Sequence, residues 1–166
     1  FSLNKMNLKK YNYNFNFFNW IKKTELVELS DINTEDDPIR PELSNEFRTS
    51  QGRKIYGLKY NGEIEGVVCI AFTKDIPTTV KELELMSINE KDSNIAIAYT
   101  LWSFKKGAGK KIMKELLKYM KNKHHLDSVM TLSPLTPMAT HYHIRNGAKL
   151  VKINPTTQNF EYKVSN

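Results

Sequence analysis

Apolar and polar positions between residues 53 and 104 follow a pattern typical of β-strands. The segment 53–60 and the more continuously apolar segment 63–72 flank Asn61-Gly62, a residue pair that strongly favours a two-residue hairpin turn. A third segment, 93–104, is rich in β-branched and aromatic residues, which favour strands. The pattern therefore predicts a β-hairpin followed by another strand.

In the second half of the chain, the apolar spacing changes from that of strands to that of helices and back. Over 107–123, apolar residues lie on one face of a predicted helix and lysines cover the other. The segment 81–88 fits a short strand or a helix, and 30–52 fits loops or short helices. The closing elements are a strand over 128–132, a short helix over 138–146 that ends at Gly147, and strands over 150–153 and 160–164.

This order of elements predicts an α/β (α+β) fold, with a central mixed β-sheet of about six or seven strands flanked by helices. The length of 166 residues suits one domain. Residues 1–24 contain five lysines and no acidic residue, and asparagine alternates there with aromatic residues. We therefore predict an N-terminal basic aromatic extension over 1–24 and a single domain over 25–166.

The charge of the chain favours an anionic partner. Lysine and arginine number 25 against 18 acidic residues, which gives a net charge of +7. Eight of the lysines lie in the segment 105–123, beside two glycines. Such a focused cluster suits a phosphorylated small molecule better than a long nucleic acid, so we expect a small-molecule partner and no nucleic acid.

Other compositional features narrow the class of protein. Cys69 is the single cysteine, which excludes an internal disulfide. No apolar run approaches the ~18 residues that span a bilayer, so we expect no membrane partner. We expect a cytoplasmic protein, while organellar targeting by the segment 1–24 stays open, and the sequence does not indicate an oligomeric state.

The join between the third strand and its helix has the features of a pyrophosphate site. Glycines let the backbone approach a ligand closely, and a helix N-terminus offers free N–H groups and partial positive charge to an anion. Neighbouring lysines add Coulomb attraction, although a plain turn with a solvated lysine face is an equally valid interpretation of the composition. The residues of this candidate site are Lys105, Lys106, Gly107, Ala108, Gly109, Lys110 and Lys111.

The sequence resembles the GNAT superfamily, the fold of acetyltransferases that use acyl-CoA. The resemblance lies in the order strand, Gly-x-Gly turn, amphipathic helix, strand, and then a helix that ends in Asn146-Gly147-Ala148. It implies that the Gly-x-Gly loop binds the pyrophosphate of coenzyme A. Phe104 stands where that loop usually opens with glutamine or arginine.

A narrower resemblance is to the catalytic domain of malonyl-CoA decarboxylases, in a short form that lacks their helical N-terminal domain. It rests on the segment Thr131-Leu132-Ser133-Pro134 and on the segment 139–148, which contains Tyr142-His143 and the Asn-Gly-Ala motif. The resemblance implies that Ser133 and His143 are catalytic. The substrate would be a malonyl-type acyl-CoA, converted through an enolate to acetyl-CoA and carbon dioxide.

Decarboxylation of a thioester requires a donor that stabilises the enolate oxygen. Backbone N–H groups at the far end of the third strand suit this role, and Leu101 and Ser103 are the candidates for binding the thioester. A hydroxyl such as that of Ser133 suits the carboxylate, and His143 is the candidate acid or orienting group. A coenzyme A thioester is then the substrate, with no tightly bound cofactor and no metal site.

Two other functions stay open from the sequence. An amine acetyltransferase needs a general base, and Glu82 or Glu84 are candidates because the segment 93–104 contains no acidic residue or histidine. A non-catalytic acyl-CoA-binding module needs only the phosphate loop.

Overall fold

The computed structural model describes residues 24–164 as one sheet with helices on both faces. The strands are β1 Thr24–Leu29, β2 Arg53–Tyr60, β3 Glu63–Thr73, β4 Ile95–Ser103, β5 Ser128–Thr131, β6 Ser133–Pro134, β7 Lys149–Ile153 and β8 Thr157–Lys163. The α-helices are α1 Asn45–Thr49, α2 Val80–Met86, α3 Ala108–Lys121 and α4 Pro137–Arg145, and single 3₁₀ turns occur at Thr34–Asp36 and Glu90–Asp92. No helix within 24–164 is long and apolar enough to cross a membrane.

The sheet is mixed, as predicted, and mostly antiparallel. Its strand order is β1-β2-β3-β4-β5-β8-β6, with β7 paired to the other edge of β8. Among residues 24–164, only β4 and β5 pair in parallel, and α3 makes the crossover between them. The predicted α/β (α+β) class is therefore confirmed, with eight strands in place of six or seven.

Most predicted elements lie where the sequence placed them. The hairpin turn has positive φ at Asn61 (50°) and Gly62 (89°), as a tight primed turn requires. Most of the ambiguous segment 81–88 is helical, as part of α2. Helix α4 ends at Arg145, and Gly147, with a φ of 98°, follows its C-cap residue Asn146. The predicted extension 1–24 lies outside the described residues except for Thr24, which begins β1.

The sequence analysis did not assign β1 and β6. In β1, partly buried Leu26, Val27 and Leu29 alternate irregularly with acidic residues. Within the described part of the chain, β1 is an edge strand that pairs only with β2. The strand β6 has two residues, which is too short for any periodicity.

Each face of the sheet has its own core. One core lies beneath α3 and includes Ile112, Met113, Leu116 and Met120, all at most 1% exposed. The other core lies on the side of α1 and α2 and contains Cys69 among others. The alternation of side chains along β3 and β4 divides their apolar residues between the two cores.

A β-bulge interrupts the pairing of β4 with β3. Cys69 pairs with Thr100, whereas the next residue, Ile70, pairs with Ala98, so Tyr99 is the extra residue on β4. The bulge bends β4 at the position where its pairing with β5 also ends. Two neighbouring strands thus separate at a defined point near the centre of the sheet.

Candidate functional site

The candidate site is the gap between β4 and the segment β5–β6. Residues Ile95 to Ala98 pair with β5, and the N–H of Leu132 donates to the carbonyl of Ala98 at 3.0 Å. Beyond that bond, β4 continues to Ser103 without a strand partner on this edge among residues 24–164. The unpaired edge leaves room for an extended ligand that hydrogen-bonds to the backbone of β4.

Leu101 and Ser103, the predicted thioester-binding residues, have backbone groups that face this gap. The N–H of Phe104 donates to Glu65 on β3 at 2.8 Å, and Trp102 is paired with Val67. Because consecutive residues of a strand direct their backbone groups to opposite sides, Leu101 and Ser103 direct theirs away from β3. These positions fit the predicted role, which stays a prediction.

The predicted phosphate loop forms the start of α3, at the outer end of the gap. Gly107 is the N-cap residue, has a φ of 85°, and supplies no side-chain cap. The first N–H groups of a helix lack partners within the helix, so this turn presents donors together with the positive end of the helix dipole. The N–H of Ala108 is the exception, since it donates to Lys105 at 3.1 Å.

The lysines of the loop differ in their surroundings. Lys105 lies 3.4 Å from Glu65 and 3.6 Å from Glu63, and the hydrogen bond with Glu65 raises the pKa of Lys105. The ammonium of Lys111 lies over the ring of Tyr60 at 4.5 Å. Within the described part of the chain, Lys106 and Lys110 make no salt bridge and are exposed, which leaves their charge available to an anion.

Tyr142 connects the loop to α4. Its hydroxyl donates to the carbonyl of Gly109, and a Cβ added at Gly109 would lie 3.4 Å from the Tyr142 ring and 3.9 Å from the Ser103 hydroxyl. The absence of a side chain at Gly109 therefore keeps the end of β4, the start of α3 and the Tyr142 ring in close contact. Burial raises the pKa of Tyr142, so its hydroxyl stays protonated.

Ser133 lies on the far wall of the gap, in β6. It is 4% exposed, pairs with Gln158 on β8, and donates its hydroxyl to the hydroxyl of Thr131 at 2.8 Å. The Thr131 hydroxyl in turn accepts from the N–H of Phe160. Ser133 therefore has to exchange its bond to Thr131 for one to a ligand before it can donate to a carboxylate.

His143 is buried between α4 and β8. Its Nδ1 lies 2.8 Å from the hydroxyl of Tyr162, and its ring packs against Phe160 at a centroid distance of 5.1 Å. Burial lowers the pKa of His143 to about 4, so the imidazole is neutral at neutral pH. A neutral imidazole can donate or accept one hydrogen bond at each nitrogen, but it is not a charged acid.

The structure brings the two predicted catalytic residues to the same face of β8 without joining them. Gln158, opposite Ser133, donates to the hydroxyl of Thr140 on α4, the helix that carries His143. Among residues 24–164, no hydrogen bond links Ser133 and His143. Their catalytic roles stay predictions.

Arg40, which the sequence analysis did not single out, lies in the gap itself. Its Nε donates to the carbonyl of Tyr99 at 2.9 Å, and its Nη2 donates to the carbonyl of Leu132 at 3.1 Å. These carbonyls belong to the two separating strands. Arg40 is 59 and 92 residues away from them in sequence, so no local motif could have identified it.

A buried ion pair fixes the loop that carries Arg40. Arg48 and Asp37 form a 2.9 Å salt bridge in which both side chains are fully buried. Asp37 also accepts from the hydroxyl of Thr100 at 2.8 Å and from the N–H of Arg40 at 3.0 Å. The bulged part of β4 and the Arg40 loop thus share one carboxylate.

A separate cavity of about 510 Å³ lies beside β1 and β2 and is lined by none of the predicted site residues. Three of its charged side chains pair with one another, since Lys54 lies 3.0 Å from Glu90 and 3.7 Å from Glu28. The strand gap, which contains the predicted residues, stays the candidate site.

Comparison with solved structures identifies the fold. Malonyl-CoA decarboxylase from Rhodopseudomonas palustris superimposes with a TM-score of 0.66 at 16% identity, over 89% of this chain and 62% of that protein. The loading GNATL domain of CurA from Lyngbya majuscula superimposes with a TM-score of 0.65 at 14% identity, over 85% of this chain and 98% of that domain. The N-acetyltransferase PseH from Campylobacter jejuni superimposes with a TM-score of 0.55 at 14% identity, over 84% of this chain and 97% of that protein.

Comparison of the sequence with models of protein families found no match, and neither did comparison with curated protein sequences. The chain spans less than two thirds of the length of the decarboxylases that it matches, 62% of one and 42% of another. At these levels of identity, the similarity establishes the fold. The chain therefore has the GNAT-like fold that malonyl-CoA decarboxylases share with N-acetyltransferases.

Proposed function

We propose that this chain is an acyl-CoA enzyme that decarboxylates a malonyl-type thioester. The observation that carries the proposal is the gap beside β4, which opens at Tyr99 and has the glycine turn of α3 at its outer end. The two halves of an acyl-CoA fit these two parts. The nucleotide end is a polyanion, and the acyl end is a small thioester on an extended arm.

Coenzyme A would bind with its pyrophosphate at the first turn of α3. The free N–H groups beyond Gly107, together with the exposed charges of Lys106 and Lys110, suit that anion. The arm would then extend along the unpaired edge of β4 as a strand does, next to the backbone groups of Leu101 and Ser103. The thioester would lie where β4 and β5 separate.

Decarboxylation would proceed at that point. The bond between the α-carbon and the carboxylate breaks, its electron pair passes into the thioester enolate, and carbon dioxide leaves. The α-carbon then takes one proton, which gives the acetyl thioester. Backbone N–H groups of β4 would stabilise the enolate oxygen, an interaction stronger in the transition state than in the substrate.

Ser133 and His143 would act on the other side of the reacting carbon. The Ser133 hydroxyl, released from Thr131, would orient the carboxylate without neutralising it. Because His143 is uncharged at neutral pH, it would orient substrate or relay a proton as a neutral imidazole. Tyr162, at 2.8 Å from its Nδ1, would fix the orientation of the ring.

Proteins of the same fold support the use of acyl-CoA. The R. palustris and Agrobacterium vitis neighbours are malonyl-CoA decarboxylases, and PseH was solved in complex with acetyl coenzyme A. Another neighbour, AAC(6')-Ib, was solved in complex with ribostamycin and coenzyme A.

The alternative is transfer of an acetyl group to an amine, since this fold includes N-acetyltransferases. Of the two carboxylates predicted for this reaction, Glu82 is poorly suited to act as the base. Glu82 accepts hydrogen bonds from the N–H and hydroxyl of Thr78, which lower its pKa and make it a weaker base. The cation of Arg40 in the gap would also repel an ammonium acceptor.

Incubation of the purified chain with malonyl-CoA tests the proposal directly. We expect acetyl-CoA and carbon dioxide in equal amounts, measured by chromatography and by a coupled assay, without any added amine. Acetyl-CoA consumption that depends on an amine would instead establish the transferase. If the chain binds malonyl-CoA and acetyl-CoA but converts neither, it is a non-catalytic acyl-CoA-binding module.

Two substitutions assign the catalytic residues. We expect Ser133→Ala and His143→Ala each to slow decarboxylation by about 10²-fold or more. The matched control is His141→Ala, because His141 lies on the exposed side of the same helix. A Ser133→Ala or His143→Ala variant as fast as the control would remove that residue from the mechanism.

A further inference from the structure

The guanidinium of Arg40 bridges β4 and β5–β6 at the point where they separate. Two of the five N–H bonds of the guanidinium donate to the carbonyls of Tyr99 and Leu132. The remaining three N–H bonds have no acceptor among the described residues. Arg40 is partly exposed, and its guanidinium lies between the two separating strands.

The charge of Arg40 is not balanced by a contact with a carboxylate. Asp37, the nearest acid along the chain, forms its salt bridge with Arg48 at 2.9 Å. No salt bridge joins Arg40 to an acid within residues 24–164, and Asp37 and Glu42 attract it only at longer range. Burial lowers the pKa of Arg40, because it removes water from the cation, yet arginine stays charged.

The position of this cation is fixed before any ligand arrives. Asp37 accepts from the N–H groups of Ile39 at 2.8 Å and Arg40 at 3.0 Å, and Arg48 donates to the carbonyl of Arg40 at 2.8 Å. The Thr100 hydroxyl ties the same carboxylate to β4. A preorganised donor of this kind loses little entropy when it binds an anion.

We propose that Arg40 selects the acyl group, by binding the terminal carboxylate of a short dicarboxylic acyl chain whose thioester lies along β4. An acetyl group offers Arg40 no charge, whereas a malonyl group ends in a carboxylate within reach of the strand junction. This inference rests on the proposed function, because it takes the acyl-CoA to lie in the gap. Two carbonyls already accept from the guanidinium, and three N–H bonds remain to donate to that carboxylate.

The test uses two thioethers of coenzyme A that differ only in charge and cannot decarboxylate. S-(2-carboxyethyl)-CoA has the chain length of the malonyl group, and S-(2-carbamoylethyl)-CoA is its neutral analogue. Calorimetric titration of the wild type should show about tenfold tighter binding of the carboxylate form. Arg40→Gln should reduce that preference to about twofold or less, with Arg40→Lys between the two.

The control variant is Arg145→Gln, which removes the same charge from the exposed end of α4 and should keep the wild-type preference. Free coenzyme A is titrated into every variant, and its unchanged affinity shows that Arg40→Gln retains the fold and the phosphate loop. Equal binding of the two thioethers by the wild type, or the same preference in Arg40→Gln, would overturn the inference. If coenzyme A and both thioethers fail to bind the wild type, the proposed function itself fails, and the inference with it.

Discussion

The burial of His143 makes the stability of the protein depend on pH in the acid range. Its folded pKa of about 4 lies below the ~6.5 of an exposed histidine, so at intermediate pH only the unfolded chain binds this proton. The stabilising contribution is complete above about pH 6.5 and is lost as the pH falls toward 4. We expect the free energy of unfolding to fall by about 2–3 kcal/mol over this range through His143.

Urea unfolding of wild type and His143→Gln between pH 7 and pH 4 measures this contribution. The variant should be less sensitive to acid, because the buried imidazole that resists protonation is gone. His141→Gln, on the exposed side of α4, should retain the wild-type dependence. Parallel pH profiles for wild type and His143→Gln would contradict the assignment.

Gly107 owes its role to its backbone conformation. Its φ of 85° disfavours any L side chain, although an added Cβ would meet nothing within 4 Å. Gly107→Ala should therefore lose about 1 kcal/mol of stability and also weaken coenzyme A binding, as the helix start shifts. Gly62→Ala is the matched control, because Gly62 has a φ of 89° and equally open surroundings in the hairpin turn.

The two glycine variants separate strain from function. Both should unfold at lower urea concentration, whereas only Gly107→Ala should lose affinity for coenzyme A in calorimetry. An unchanged affinity in Gly107→Ala would remove the turn from the binding site.

At the residue scale, sequence reasoning reached the groups that belong to local motifs. The glycine turn before α3 follows from residues next to one another in sequence. Arg40 could not be identified in this way, because its partners Tyr99 and Leu132 become neighbours only when β4 and β5 pair. The partner of His143, the hydroxyl of Tyr162, is likewise 19 residues away.

Among the elements, the loop that precedes α1 depends on a single ion pair. Arg48 donates to Asp37, to the carbonyls of Leu43 and Arg40, and to the Cys69 sulfur, and it is 0% exposed. Removal of one partner leaves the other charge buried without compensation. Arg48→Met should therefore destabilise the protein by about 3–5 kcal/mol, as measured by urea unfolding.

A smaller substitution distinguishes the contribution of the ion pair from that of the hydrogen bond between Asp37 and the bulged part of β4. Thr100→Val removes only the hydroxyl that donates to Asp37, and it should cost about 1–2 kcal/mol. Arg145→Met, on the surface of α4, should change stability little. A loss below about 1 kcal/mol in Arg48→Met would show that the loop does not depend on this pair.

The elements that the sequence predicted well are those whose own residues decide their structure. The hairpin β2–β3 follows from its turn residues, and α3 from its apolar face. In contrast, β8 begins at Thr157, three residues before its predicted start, because Gln158 and Asn159 are buried there. Gln158 donates to the Pro134 carbonyl, and Asn159 to the Thr131 carbonyl. Buried polar residues that satisfy neighbouring strands do not produce an apolar pattern.

For the molecule as a whole, the net charge of +7 should attract an anion most strongly where lysines are concentrated, in the segment 105–123. Lys106 and Lys110 are exposed and make no salt bridge among residues 24–164, so replacement of both by glutamine should weaken coenzyme A binding about tenfold at low salt. Lys118→Gln with Lys121→Gln removes equal charge from the other end of α3 and should weaken binding by no more than about twofold.

Salt provides the second measurement for this prediction. The affinity of the wild type should fall as sodium chloride rises from about 0.05 to 0.5 M, because the Debye length shortens. The double variant at 106 and 110 should show a flatter dependence than the variant at 118 and 121. Identical salt dependence in the two variants would indicate that the helix N-terminus is not the anion site.

The overall architecture was largely accessible from sequence, since the order of strands and helices carried the resemblance to the GNAT superfamily. The structure adds the two features that define the gap, the bulge at Tyr99 and the point where the pairing of β4 with β5 ends. Both are properties of three strands together. No one of those strands encodes them.

The chain's one thiol has a practical consequence. Cys69 is 0% exposed at the centre of the sheet, opposite Thr100 in the bulged part of β4, and burial raises its pKa to about 11, partly offset by Arg48. An alkylating reagent reacts with a solvated thiolate, so labelling requires the layer that covers this face of the sheet, including Arg48 at 3.4 Å from the Cys69 sulfur, to move away. The rate at which Cys69 is alkylated therefore measures how often this part of the protein opens. A ligand that binds in the neighbouring gap should lower that rate, and a ligand of higher affinity should lower it more.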